Sequence, residues 1–227
     1  MRRPGIWLGI ALAGFISAGA YGAAIPWSNP SGVLPGVFSW TNGQTENGLY
    51  GSPTVSANTF AFIPNNFRAI GSNGGSQNVT DRITFDLDVA PGLIVESIDV
   101  REFGDYAITG GGTVSSTADL GVVNRDLGPG SLQTASVIST PAFPLSTVSN
   151  DSGLFTSAVS RALPFGWTRV TITLDGAVSA TGAASGTAAI EKKLSGLLVT
   201  VNVPEPGAIA LGLAGVGALL LRRRCRA

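Results

Sequence analysis

Uncharged apolar blocks near the two ends of this 227-residue chain most constrain what it can fold into. One block runs from Gly5 to Ala20 and the other from Gly207 to Leu221. Hydrophobic residues make up 44% of the chain and charged residues only 12%, but much of the apolar excess lies in these two blocks. We therefore expect one folded domain of about 180 residues between two terminal segments, a length sufficient to build a hydrophobic core.

The net charge of zero conceals an acidic middle. Six of the fourteen basic residues lie in the terminal segments, whereas Tyr21 to Val203 contains eight basic and thirteen acidic residues, a net charge of −5. Nucleic-acid binding depends on basic surfaces that neutralise phosphates. We therefore predict that the chain has no nucleic-acid partner.

Two residue types are almost missing. The chain has no histidine, and its single cysteine is Cys225. Without histidine the Ser-His and Cys-His catalytic arrangements and the histidine-based metal sites are excluded. Without a second cysteine no disulfide forms within the chain, so the domain depends on its core. We predict no catalytic residue and no cofactor.

The N-terminal segment has the three-part layout of a secretory signal peptide. Met1-Arg2-Arg3 is a basic start, the apolar run follows, and the small residues Ala18-Gly19-Ala20 close it. This layout predicts a signal peptide over residues 1–24, cleaved after Ala20 or after Ala24. The expected partners are the secretion machinery and signal peptidase, and the expected outcome is export across the inner membrane.

The C-terminal segment joins a proline-rich element to a short apolar run. Each proline fixes its own φ and disfavours helix at the residue before it, so Pro204, Glu205 and Pro206 are expected in extended backbone. The run 207–221 forms a helix of about 22 Å, shorter than the hydrocarbon core of about 30 Å, and is predicted to span the membrane as a short helix. By the positive-inside rule four arginines act as a cytoplasmic stop-transfer signal: Arg222, Arg223, Arg224 and Arg226.

Residues 203–227, about a tenth of the chain, resemble the PEP-CTERM sorting domain. The resemblance rests on Val203-Pro204-Glu205-Pro206, the Gly/Leu/Ala-rich run and the terminal arginine cluster, in that order and spacing. It implies processing by an exosortase-like membrane enzyme in a bacterium that makes exopolysaccharide. It also implies transient membrane anchoring, followed by delivery to the cell envelope, the surface or the extracellular matrix. The alternative interpretation is a plain tail anchor that stays in the membrane.

Residues 25–202 are rich in Gly, Ser, Thr, Val, Asn and Pro and carry short alternating runs, a pattern typical of all-β proteins. Strict alternation predicts a half-buried strand over Arg82–Val89, and shorter patterns predict strands at Leu93–Val100, Thr168–Leu174 and Leu194–Val203. Asp175-Gly176 is expected to form a turn. Weaker strand candidates are Val37–Trp40, Asn58–Ile63, Tyr106–Thr109, Thr113–Ser116 and Ala135–Ile138. We predict a single β-sandwich with jelly-roll-like connectivity.

Carboxylates on one strand are the main candidates for chemistry. Asp86 and Asp88 share the polar face of the Arg82–Val89 strand, which makes them weak candidates for a hard-cation site or a glycosidase pair. The alternative is a solvated sheet face on which Arg82 and Arg101 lie nearby. The second interpretation is favoured, because no EF-hand or repeated calcium motif accompanies these residues.

Three functions remain open at this stage. The leading one is a non-enzymatic structural or adhesive protein of an exopolysaccharide or biofilm matrix. The alternatives are a secreted polysaccharide-binding module, with or without Ca²⁺, and a glycoside-active enzyme. A binding module needs exposed rings on which sugars stack, and the candidates are Trp27, Trp40, Tyr50, Tyr106 and Trp167, although a sandwich core usually contains such residues.

Overall fold

Period-two alternation of apolar and polar residues builds two antiparallel sheets that pack face to face. The computed structural model describes residues 23–204, where the regular elements are fifteen strands and one 3-10 turn, Pro129–Ser131. The first eight strands are β1 (Ile25–Pro26), β2 (Gly32–Leu34), β3 (Phe38–Thr45), β4 (Thr54–Ser56), β5 (Thr59–Phe62), β6 (Arg68–Ser72), β7 (Ser76–Val89) and β8 (Ser97–Thr109). The remaining strands are β9 (Gly112–Asn124), β10 (Gln133–Ser136), β11 (Ile138–Thr140), β12 (Leu145–Thr147), β13 (Asp151–Ala162), β14 (Arg169–Gly182) and β15 (Thr187–Asn202).

Sheet A has the strand order β1-β3-β7-β14-β9-β10, with β2 on β3 and β12 on β9. Sheet B has the order β11-β13-β8-β15-β5-β4, with β6 also paired to β15. The six longest strands, β7, β8, β9, β13, β14 and β15, alternate strictly between the two sheets. This confirms the expected all-β sandwich, and the repeated crossing between sheets is a feature that jelly-roll-like sandwiches share.

The core lies between the sheets and is rich in aromatic rings. Phe60 packs against Phe85 with ring centroids 4.7 Å apart and against Trp40 at 5.5 Å. Inward-facing aliphatic residues of β7, β8, β9, β14 and β15 continue the core along the sandwich. Burial of these side chains supplies the main driving force for folding.

Most of the predicted strands are found, and they are longer than expected. The alternating run at Arg82–Val89 is the second half of β7, and the runs at Thr168–Leu174 and Leu194–Val203 lie largely within β14 and β15. The predicted strand at Leu93–Val100 begins only at Ser97, because residues 93–96 approach the sheet as loop. Strand β13 was not predicted, since only two of its residues, Phe155 and Ser157, are buried.

The predicted turn at Asp175-Gly176 is wrong. Both residues lie in the middle of β14, where Gly176 pairs with Asp81 of β7 and Ala118 of β9. A strand hydrogen-bonded on both sides overrides the local preference of an Asp-Gly pair for a turn. Gly176 has a different role, because a Cβ atom at this position would lie 1.9 Å from the Tyr50 hydroxyl oxygen.

Several predicted features lie outside the described residues. They are the signal peptide up to residue 22, Glu205 and Pro206, the apolar segment 207–221, and the arginines Arg222, Arg223, Arg224 and Arg226. Within residues 23–204, no helix combines the length and the apolar character that crossing a bilayer requires.

Candidate functional sites

The two candidate carboxylates lie on the outer face of sheet A and are held by arginine. Asp88 accepts hydrogen bonds from Arg125 Nη1 at 2.9 Å and from Arg169 Nε at 3.0 Å. Asp86 accepts from Thr171 Oγ1 at 2.5 Å and from an asparagine amide of β3. Protein donors therefore occupy the oxygen atoms that a cation or a sugar would use.

The arginine neighbours differ from the expected ones. Arg82 forms an ion pair with Asp175 of the adjacent strand, and Arg101 lies on β8 in the other sheet. The residues that approach Asp86 and Asp88 come from the end of β9 and the start of β14, 37 and 81 residues from Asp88. Such long-range pairs become visible only after the strands are placed in register. In the described part of the chain, no group of three or more Asp, Glu, Cys or His side chains is placed to hold a metal ion.

The proposed sugar-stacking rings are mostly in the core. Trp27, Trp40, Tyr50 and Trp167 are all less than 9% exposed. Tyr106 is half-buried against the core, and its hydroxyl points toward Asp151. The expectation that Trp167 is a core residue is confirmed, and none of the four buried rings is available to a polysaccharide.

The outer faces of the sheets carry shallow grooves. One groove of about 300 Å³ lies on sheet A and is lined in part by Glu46, Thr117, Asp119 and Asp175. Another of about 450 Å³ lies on sheet B, where the exposed side chain of Ile138 adjoins Arg101. These grooves offer hydroxyl and carboxylate groups for surface contacts, with little aromatic surface.

A buried carboxylate shapes the loop that follows β3. Asp81, at 2% exposure, accepts hydrogen bonds from the backbone N–H groups of Asn47, Leu49 and Tyr50 and from the hydroxyl of Thr45. A carboxylate that accepts from several backbone donors fixes the path of a loop, because loss of these charge-assisted hydrogen bonds would leave the buried N–H group of Tyr50 without a partner. The result is that Tyr50 enters the space between the sheets.

Tyr50 meets a buried ion pair. Lys192 Nζ of β15 lies 2.5 Å from Glu102 Oε1 of β8, and neither side chain has any exposed surface. The Tyr50 hydroxyl donates to Glu102 Oε1 at 3.0 Å and accepts from Lys192 Nζ at 3.0 Å. The ammonium also lies 4.8 Å from the centre of the Phe67 ring. We call Tyr50, Phe67, Glu102 and Lys192 the buried lysine cluster.

The environment of the buried lysine cluster keeps the phenol protonated. Burial raises the pKa of Tyr50 well above its ordinary value, and the Glu102 carboxylate raises that pKa further. Glu102 Oε2 is buried and has no hydrogen-bond partner among residues 23–204. The cluster therefore combines a charged pair, a neutral phenol donor and an unsatisfied carboxylate oxygen in an apolar interior.

This cluster was not predicted from the sequence, although the alternation contains a signal for it. Glu102 continues the inward series of Ile98 and Val100, and Lys192 continues that of Ala188 and Ile190. A charged residue in phase with a buried apolar series is a candidate for burial. The pairing of the two residues is visible only in the structure, since 90 positions separate them in the chain.

The last strand leads directly to the proline element. Strand β15 pairs with β8 along one edge and with β5 and β6 along the other, so it is central in sheet B. It ends at Asn202, and Val203 packs against the core. The chain thus leaves the domain one residue before Pro204.

Comparisons with known proteins show similarity at the level of architecture alone. No protein-family model and no curated protein matches the chain. The carbohydrate-binding module TmCBM61, solved with β-1,4-galactotriose, is 10% identical, with 79% of this chain and 100% of that chain covered and a TM-score of 0.25. A family 29 carbohydrate-binding module is 13% identical, with coverages of 71% and 88% and a TM-score of 0.20.

A third similar structure is the enzymatically active domain of bacteriophage CBA120 tailspike protein 4. It is 12% identical, with 76% of this chain and 22% of that chain covered and a TM-score of 0.23. Binding modules and an enzyme domain thus both occur among the similar structures. TM-scores of this size carry no functional conclusion for this chain.

Proposed function

We propose that the protein is an exported, non-enzymatic component of the cell surface or extracellular matrix, sorted through its Pro204-Glu205-Pro206 element by an exosortase-like enzyme. The observation that supports this proposal is the way the domain ends. The final strand ends at Asn202, and Val203 is the last described residue that packs against the core. Processing after the proline element would therefore leave the sandwich intact.

The surfaces of the domain favour a structural or adhesive role over a sugar-stacking one. Four of the five candidate rings are buried, and the two candidate carboxylates are engaged by Arg125, Arg169 and Thr171. A polysaccharide-binding function would therefore depend on the shallow grooves of the outer faces. Contact with exopolysaccharide in the matrix remains part of the proposal, through hydrogen bonds from these Ser-, Thr- and Asp-bearing faces.

Replacing Pro204, Glu205 and Pro206 by alanine tests the sorting step. We expect the triple variant to be exported but retained in the membrane fraction, because the extended backbone that a processing enzyme needs is lost. The measurement is the distribution of the protein between membrane and matrix fractions of the native host.

The matched control for that experiment changes the exposed loop between β13 and β14, by Pro164→Ala and Phe165→Ala. It should reach the matrix fraction as the wild type does. Wild-type distribution of the triple variant would contradict the sorting role of the proline element.

A further inference from the structure

We propose that Lys192 and Glu102 join through an intramolecular amide bond, formed by the fold itself. The inference rests on the geometry of the buried lysine cluster and is independent of the sorting proposal. It assigns a covalent modification site to the centre of sheet B, in a chain whose single cysteine leaves no disulfide to do this.

The two reacting groups are already in contact. With 2.5 Å between Lys192 Nζ and Glu102 Oε1, and a carbon–oxygen bond of about 1.23 Å, the nitrogen is at most about 3.7 Å from Glu102 Cδ. Productive attack begins from separations close to this. The contact is held by the sheet, since β8 and β15 are neighbours and the register shift between Lys192 and Leu197 places Lys192 diagonally across from Glu102 on the inner face.

The interior favours a neutral product over the buried pair of charges. Neither side chain is exposed, so water does not stabilise the ammonium or the carboxylate. The condensation begins with transfer of one proton from Lys192 Nζ to Glu102 Oε2, which leaves a nitrogen lone pair beside a carboxylic acid. The aromatic rings of Tyr50 and Phe67 keep that environment dry on two sides.

The condensation that follows is balanced and needs no further reactant. The Lys192 nitrogen lone pair attacks Glu102 Cδ, and the C–N bond forms as the carbonyl electrons move to Oε1. The Tyr50 hydroxyl donates to Oε1 and stabilises the developing negative charge, as an oxyanion-hole donor does. One proton moves from Nζ to the Oε2 hydroxyl, the Cδ–Oε2 bond breaks, and water leaves. The products are a neutral secondary amide and one water molecule.

Tyr50 is the hydrogen-bond donor of this step. It reaches the cluster because Asp81 holds its loop and because Gly176 leaves room for its hydroxyl. In the product, the amide carbonyl oxygen keeps the Tyr50 hydrogen bond and the buried charges are gone. The orphaned oxygen Oε2 is the atom that departs.

A second lysine–carboxylate pair provides an internal control. Lys193 Nζ lies 2.5 Å from Asp105 Oδ2 on the outer face of the same two strands, with side-chain exposures of 49% and 33%. The nitrogen–oxygen distance is the same in the two pairs, but water solvates Lys193 and Asp105, so they keep their charges at little cost. Lys193 and Asp105 should remain unlinked if burial drives the reaction.

Peptide mapping of the full-length protein tests the proposal. Trypsin should yield the fragment Glu102–Arg125 joined to Val170–Lys193, with a mass about 18 Da, one water, below the sum of the two, because a linked Lys192 is no longer cleaved. Fragment spectra should place the link at Lys192 and Glu102. The protein should be unfolded in denaturant before digestion, so that a linked species reports a covalent bond.

The test uses the wild-type protein, so its outcome does not depend on whether a variant folds. Recovery of Glu102–Arg125 and Val170–Lys192 as separate fragments in equal yield, from protein that was folded before denaturation, would overturn the proposal. A link at Lys193 and Asp105 would also overturn it. The variant Lys193→Met removes only the exposed amine. Because it also removes the tryptic site at residue 193, its linked species should join Glu102–Arg125 to a fragment that runs from Val170 to Arg222, and an undiminished yield of that species supports the assignment to Lys192.

Discussion

Single residues decide whether the sandwich can hold a polar cluster at its centre, and Gly176 is the clearest case. Its missing side chain makes room for the Tyr50 hydroxyl, which a Cβ atom would approach to 1.9 Å. We expect Gly176→Ala to lower the free energy of unfolding by about 1–3 kcal/mol through overpacking. Urea denaturation measures this, and Gly121→Ala in β9 is the control, because its nearest neighbour would lie 3.5 Å from the new carbon.

The same clash predicts a specific rescue. Tyr50→Phe removes the oxygen that the new methyl group would contact. The double variant Gly176→Ala/Tyr50→Phe should therefore lose less unfolding free energy than the sum of the losses in the two single variants. Additive losses would show that the Tyr50 oxygen is not what Gly176 accommodates.

Tyr50 also determines the response to alkaline pH. The folded state raises the pKa of this phenol mainly through burial, whereas the unfolded chain releases the proton at about pH 10. The protonated phenol therefore contributes to the free energy of unfolding in full below about pH 10, and this contribution is lost as the pH rises through the folded-state pKa. Tyr50→Phe should therefore lose stability less steeply than the wild type above about pH 10.

Urea midpoints between neutral and alkaline pH provide the measurement. Tyr106→Phe is the comparison, since Tyr106 is much less buried and its pKa is raised mainly by partial desolvation and then by Asp151. Parallel curves for wild type and Tyr50→Phe would contradict the assigned role of the phenol.

At the level of structural elements, the loop between β3 and β4 depends on one carboxylate from another strand. Asp81 accepts hydrogen bonds from three backbone N–H groups of that loop, at Asn47, Leu49 and Tyr50. Asp81→Ala removes these charge-assisted hydrogen bonds and leaves the buried donors of Thr45 and Tyr50 without their partner, so it should cost about 3 kcal/mol of unfolding free energy. The exposed carboxylate Asp126 is the control, and Asp126→Ala should cost less than about 1 kcal/mol. Equal losses would contradict the structural role of Asp81.

Elements also show how far the sequence predicts the fold. The alternation at Arg82–Val89 predicts its strand because one face is buried, and a two-residue period follows from that directly. The Asp175-Gly176 pair misleads because its turn preference is local, whereas its actual strand is fixed by β7 and β9. The adjacent lysines Lys192 and Lys193 are chemically identical, yet the first is buried and the second is exposed. Residue type alone therefore does not distinguish them.

For the candidate sites, too, the sequence showed which face a residue lies on but not which residues are its partners. The sequence correctly predicted that Asp86 and Asp88 share a polar sheet face, since alternation assigns faces. It did not predict Arg125 and Arg169 as their partners, because pairing depends on which strands become neighbours. For the same reason the contact between Glu102 and Lys192 required the register of β8 and β15.

At the scale of the whole molecule, the domain and the C-terminal segment have separate tasks. The sandwich provides a folded body with polar outer faces and an acidic net charge, and it is complete at Val203. In the proposed function, the proline element that follows determines where this body is delivered. A division of this kind allows the delivery segment to be removed without loss of core packing.

The mass of the C-terminal peptide of the protein recovered from the matrix fraction tests this division most directly. We expect that peptide to end at or near Pro204-Glu205-Pro206, so that neither the apolar segment 207–221 nor Cys225 is present in the mature protein. A mature protein in that fraction that still carries Cys225 would contradict the account.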